Sequence, residues 1–238
     1  MRKQLLKWIA LGLFLIGGVA LLVYATRPPL QEASAAPPDE GIICTSGTSP
    51  NPTFTLNTRD GYVGTPDDNV IYMWGYAADN SSFQHPSPVL CVNEGDTVTV
   101  ILHNTLPDDV SIMFPGQENV LANGLPAQPQ FDSGGNLTSL TNVAPANGGS
   151  VTYSFVADKP GTYLYESGTE PDVQVRMGLF GALIVRPGSG ADFAYNRADS
   201  QFNPDTEFMV LLSEIDPFLS QAMERHVQRN RPFIFNME

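Results

Sequence analysis

Ser111-Ile112-Met113-Phe114-Pro115-Gly116 and Pro160-Gly161-Thr162-Tyr163-Leu164-Tyr165-Glu166-Ser167-Gly168 are the two stretches on which the reading of this chain turns. Each is a short, largely apolar or alternating run that closes on glycine, the pattern of a strand running into a turn. Working outward from them, runs of the same kind recur at Phe54 to Thr58, Val70 to Tyr76, Thr97 to His103, Val110 to Phe114, Val151 to Val156, Thr162 to Tyr165, Leu179 to Val185 and Phe208 to Leu212. Turn formers punctuate them at Asp60-Gly61, Glu94-Gly95-Asp96, Ala146-Asn147-Gly148-Gly149 and Lys159-Pro160-Gly161. Many short strands at this spacing predict an all-β sandwich or barrel. Between Pro115 and Pro145 the chain is polar, Gly- and Asn-rich and without a period, which predicts one long functional or mobile loop.

The strand pattern does not repeat, so it predicts one sandwich over residues 53–187 of the 238. Before it, Met1 to Lys7 is basic and Trp8 to Tyr24 runs 17 residues without a charge. As a helix that run would span roughly 26 Å, slightly less than a bilayer core. Residues 1–27 therefore read as a signal peptide or, by their length and the distance to Ala33-Ser34-Ala35, as an uncleaved membrane anchor with the rest of the chain exported. Residues 28–52, rich in Pro, Ala, Ser and Gly, read as a flexible linker. After a second linker at 188–206, residues 207–238 read as the incomplete start of a second domain: one strand, then a helix capped by Asp216 with Pro217 in its first turn. Phe218, Leu219, Ala222, Met223 and Val227 fall on one side of that helix.

All four basic residues of the first 27 lie in the N-terminal segment, leaving eight Lys/Arg against 25 Asp/Glu beyond it, a net charge of 8 − 25 = −17. Such acidity argues against nucleic acid or an anionic membrane surface as a partner of the exported part. In an oxidising compartment the two cysteines, Cys44 and Cys91, are expected to form a disulfide tying the N-terminal arm to the domain.

Laid against known families, the two opening stretches resemble the motifs of the first plastocyanin-like (cupredoxin) domain of the multicopper oxidases, which end a strand in Ser-Ile-His-Trp-His-Gly and later carry Pro-Gly-Thr-Tyr-Trp-Tyr-His-Ser-His followed by Gly-Leu-X-Gly-X-X-Ile-Val. Ser111, Ile112, Gly116, Pro160, Gly161, Thr162, Tyr163, Tyr165, Ser167, Gly178, Leu179, Gly181, Ile184 and Val185 match. Met113, Pro115, Glu166 and Gly168 stand where the family has its four ligand histidines, and Phe114 and Leu164 where it has tryptophan. Glu94 to Val98 and Asn104 to Pro107 are similar to the segments before the first motif, and Leu212 to Asp216 to the entry of a second cupredoxin domain. The resemblance covers residues 54–187 and implies a Greek-key β-sandwich of the cupredoxin type. It also implies a family activity, one-electron oxidation of a substrate coupled to dioxygen reduction, that needs a blue copper and a three-copper cluster held by imidazole nitrogens.

With all four ligand positions substituted, the expectation is that this domain holds no copper and is not active alone, the copper chemistry residing in later cupredoxin domains of the same protein. Met113 and Glu166, with Met177 nearby in sequence, are the remaining soft or acidic donors; Met113 in its strand reads as core packing and Glu166 as part of a solvated turn. Cys91 is followed by Val92-Asn93-Glu94-Gly95-Asp96, with neither the histidine nor the methionine of a blue-copper loop. His85, His103 and His226 stand far apart and read as surface or capping residues. The other class of function that fits is a copper-free binding or structural module at the cell surface, presenting the loop from Pro115.

Overall fold

The computed structural model describes residues 42–79 and 81–230; the helix expected in 1–27 lies outside the described residues, as do 28–41 and 231–238. Two sheets face each other across one core. The first has the strand order β1-β4-β12-β11, built from Thr45–Ser46 (β1), Leu90–Asn93 (β4), Gly161–Glu166 (β11) and Phe180–Arg186 (β12). In the second, β3-β2-β5-β10-β6-β7, the strands are Thr53–Gly64 (β2), Val70–Ala78 (β3), Thr97–His103 (β5), Leu121–Ala122 (β6), Leu125–Pro126 (β7) and Ser150–Val156 (β10). Non-consecutive neighbours and the parallel pairs β1 with β4, β4 with β12 and β2 with β5 mark strands that cross between the sheets. This is the all-β sandwich that the strand pattern and the resemblance implied.

The alternation of β5 explains its place. Val98, Val100 and Leu102 are buried while Thr97 and His103 face out, and β10 answers with Val151, Tyr153 and Phe155 in register. From the opposite sheet Leu90, Val92, Tyr165, Leu183 and Val185 close the core. Strand β12 is buried on both faces, because its outer side is covered in turn: the His85 ring stands edge-on against Phe180 at 5.6 Å. Such strands read as continuous apolar runs. Gly181 is required here, since a β-carbon would lie 2.4 Å from the Tyr165 ring that crosses it.

Four features differ from the sequence reading. The linker expected over 28–52 is, from Thr45 on, part of the sandwich: Thr45 N donates to Val89 O at 2.8 Å, and Thr97 N and Thr99 N donate to Pro50 O and Pro52 O, each at 2.9 Å. The long loop from Pro115 contains β6, β7 and a separate ribbon of Gln130–Phe131 (β8) and Leu137–Ser139 (β9), strands too short to show a period. A one-turn helix, Pro171–Gln174 (α1), follows β11. Finally, Phe208 to Leu212 forms no strand and has no ladder partner among the described residues. Arg186 grips Glu207 through two bonds (2.9 and 2.5 Å) before it, and Arg176 reaches Glu214 and Asp216 (3.0 and 3.1 Å) after it.

The helix Pro217–Asn230 (α2) starts as expected, Asp216 Oδ1 accepting from Phe218 N at 2.9 Å and Leu219 N at 3.3 Å. Its packing differs. It lies against β3 with Val227 in the sandwich core, Leu219 and Met223 packed beside it and Ser220 on Met73, while Phe218 is 84% exposed. A lone amphipathic helix gains its stability by covering the nearest apolar surface. Among the described residues no helix is long and apolar enough to cross a membrane.

Cys44 and Cys91 are joined, Cα to Cα 5.5 Å, closing a loop with a sequence separation of 47. Reduction with a thiol reagent is expected to lower unfolding stability by about 2–4 kcal/mol, the usual range for a loop of this size. Urea melts of the oxidised and reduced chain check this.

Candidate functional site

The two opening stretches come together as neighbours. Met113 and Glu166 face each other as an antiparallel bridge, Met113 N donating to Glu166 O at 2.7 Å and Glu166 N to Met113 O at 3.2 Å. The segment from Val110 to Phe114 thus continues the first sheet beyond β11. Because directly paired residues of two strands point to the same side, Met113 and Glu166 share one face, and both are half-buried. Ile112 and Phe114 point the other way and are buried. The Phe114 ring meets Phe155 at 4.8 Å, Tyr153 at 5.8 Å and Tyr165 at 6.5 Å between centroids. The structure therefore brings Met113, Glu166 and Gly168, three of the four positions singled out in the sequence, into one patch.

What fills that patch is Met113. A β-carbon built on Gly168 would lie 2.8 Å from Met113 Cγ, 3.1 Å from its sulfur and 3.3 Å from Leu140 Cβ. The thioether thus lies over the glycine and takes the room a larger side chain at 168 would use. Met113 contributes one thioether and Glu166 one carboxylate; Pro115 and Gly168 contribute no side-chain donor. Met177 is buried in the core, not on this face. Among the described residues no three His, Cys, Asp or Glu side chains gather where they could hold a metal ion.

Beneath the patch lies a ring of hydroxyls whose partners the sequence did not reveal. Ser111, Ser139 and Thr169 are buried and mutually bonded: Thr169 Oγ1 donates to Ser139 Oγ at 3.0 Å, Ser111 and Thr169 lie 2.9 Å apart, and Ser139 and Ser111 3.3 Å. With Ser111 donating to Thr169 and Ser139 to Ser111, each hydroxyl gives one proton and takes one. Gly168 N donates to Ser111 Oγ at 3.0 Å, so the ring also pins the glycine. Beside it Ser167 donates to Gln174 Oε1 (2.7 Å), and Gln174 Nε2 donates to Asp109 O (2.8 Å), fixing α1 on the strand before Met113. Ser111 and Ser167 stood in the quoted motifs, but nothing in the sequence marks Ser139, Thr169 or Gln174 as their partners.

The three histidines stand on separate elements. His103 ends β5 exposed, and His226 on α2 bonds Asp108 at 2.8 and 3.0 Å, a cross-element pair rather than a free surface group. His85 is partly buried against Phe180, with a buried Nδ1 that has no hydrogen-bond partner, so it is not the surface residue expected. Burial lowers its pKa below the ordinary imidazole range.

A two-sheet sandwich with these paired strand ends defines a cupredoxin-type domain. Residues 76–190 match the family model described as multicopper oxidase. Among curated relatives, L-ascorbate oxidase of Cucumis sativus is 33% identical over 132 residues, 55% of this chain and 19% of that protein. Laccase abr2 of Aspergillus fumigatus is 30% identical over 161 residues, 64% of this chain and 25% of its own length. The chain thus matches a quarter or less of either relative. Of solved structures, multicopper oxidase mgLAC aligns at a TM-score of 0.47 with 25% identity, covering 58% of this chain and 39% of that one.

Two outcomes are expected. Gly168→Ala should cost about 1–3 kcal/mol by overpacking, and most of that should return in Met113→Ala/Gly168→Ala, a coupling read from a urea double-mutant cycle. Because the folded His85 prefers its neutral form, the unfolded chain takes up the proton first as pH falls. The stabilisation is full above an unfolded pKa of about 6.5 and is lost as pH drops through the lower folded value. Unfolding midpoints should therefore decline less steeply from about pH 7 to about pH 5 in His85→Gln than in the parent chain.

Proposed function

We propose that this chain is the extracytoplasmic first cupredoxin domain of a multicopper-oxidase-like protein, a scaffold for copper-dependent oxidoreductase chemistry carried by later domains. In this reading the domain itself holds no part of a three-copper cluster. The observation that carries it is the packing of Met113 over Gly168. Such a cluster takes several imidazole nitrogens from adjoining strands, and here one thioether, one carboxylate, a proline and a glycine occupy those places. An imidazole at 168 would need Met113 and Leu140 to vacate the space, so restoring one ligand at a time would strain the patch. The donor set does not fit the group, and no reaction step is assigned to it.

Export is supported by the Cys44–Cys91 bond, of a kind that persists in oxidising compartments, and by the basic and apolar N-terminal sequence. The relevant partners would be the later domains of the same polypeptide and, through residues 1–27, a membrane. The alternative, a copper-free surface module, draws on the β8–β9 ribbon, which carries Phe131 and Leu137 exposed.

Metal analysis of the purified chain after loading with copper salt and desalting, together with melting curves in added copper, tests the reading. The expected result is substoichiometric copper and an unchanged melting temperature. Stoichiometric copper that is lost in Met113→Ala and Glu166→Gln would overturn it.

A further inference from the structure

The inner face of β3 carries three oxidisable side chains in succession, Tyr72, Trp74 and Tyr76, all buried. At one end Tyr76 meets Tyr165, ring centroids 5.8 Å apart, and Tyr165 stands between Leu164 and Glu166 on β11. At the other end Trp74 Nε1 donates to the Tyr72 hydroxyl at 3.3 Å, and the Tyr72 ring meets Tyr62 edge-on at 5.6 Å. Tyr62 is 56% exposed. Five redox-capable rings thus lead from the patch strand on one sheet to the surface of the other.

The hydrogen-bond partners give this path a direction. A phenol that loses an electron must also release its proton, and the ease of oxidation follows the base that waits for it. Tyr165 and Tyr76 donate to the backbone carbonyls of Pro88 and Ser111, each at 2.6 Å, which hold a proton poorly. Burial also raises the pKa of both phenols. Tyr72 and Tyr62 instead donate to carboxylates, Asp60 Oδ2 at 2.9 Å and Glu224 Oε1 at 2.6 Å. A groove of about 460 Å³ lined by Tyr72, Asn69, Gln221 and Glu224 opens beside this end to solvent.

We propose that Tyr165, Tyr76, Trp74, Tyr72 and Tyr62 form a relay that carries an electron hole outward to Tyr62. A one-electron oxidant, a high-potential metal complex or an oxygen-derived radical near the patch, takes an electron through the relay. At its end the Tyr62 O–H bond breaks, its proton goes to the Glu224 carboxylate and a neutral tyrosyl radical remains. A solvent-borne one-electron donor then returns an electron, and Glu224 returns the proton. The relay belongs to this chain's own side chains and needs no bound copper.

The test places a ruthenium polypyridyl photo-oxidant on Leu164→Cys of the full chain, a unique label because Cys44 and Cys91 are bonded to each other. After flash oxidation, electron paramagnetic resonance and transient absorption should find a neutral tyrosyl radical that disappears in Tyr62→Phe. Its yield should fall several-fold in Trp74→Phe and in Tyr72→Phe, the second of which removes only a hydroxyl and keeps the fold testable. Glu224→Gln should shorten the radical's life without changing the circular dichroism. A radical at Tyr62 whose yield is unchanged in Trp74→Phe and Tyr72→Phe would mean direct surface oxidation and would overturn the relay. So would a radical confined to Tyr165, or none at all.

Discussion

Between Val110 and Phe114 the backbone has few strand neighbours, and what holds it is a set of buried hydroxyl groups. Val110 exchanges bonds with Ala144, and Met113 with Glu166. Between these two bridges, Ser111 O accepts from the Tyr76 hydroxyl at 2.6 Å and Ile112 N donates to the Tyr153 hydroxyl at 3.0 Å. Buried backbone groups must find partners, and here tyrosines from the opposite sheet take the place of a strand. The same segment places Met113 on the outer face and Phe114 in the core, so the position of the whole patch follows from those two phenols.

Around this anchor two buried polar networks fix the chain. Asn104, fully buried, donates to Asp108 O and Ala144 O and accepts from Thr58 Oγ1 and Leu106 N, fixing the chain just before and just after the anchored segment. The hydroxyl ring of Ser111, Ser139 and Thr169 does the same for the turn at Gly168. A buried network with every member satisfied stiffens what it touches. Frame residues such as Ser111 and Ser167 thus have a structural duty in this chain whether or not a metal is near.

How much of this could be read beforehand depends on the length scale of the signal. Strands such as β5 and β10, seven residues of clean alternation, were legible because one face is buried and the other wet. So was the Asp216 cap, a local interaction. The two-residue strands β6 and β7 were not, since two residues carry no period, and their pairing depends on a neighbour, β10, far along the chain. Phe208 to Leu212 reads as a strand and forms none, because pairing is a property of two segments and the sequence of one cannot supply the other. The patch was half legible. The stretches that meet there could be named from the sequence, whereas the thioether lying over Gly168 arises from a contact between residues 55 positions apart in sequence.

The Cys44–Cys91 bond also sets how the domain answers a pull. Strand β1 is two residues long and lies at the rim of its sheet, so its pairing with β4 would unzip one bond at a time under tension from the N-terminal side. The sulfur bridge bypasses that pairing and delivers the force to Cys91, within β4 and flanked by β12. Traction arriving at Ile42 is therefore shared by the sheet's interior strands in shear, and the patch at Met113, beyond β11 on the other side of the sheet, is mechanically sheltered from it.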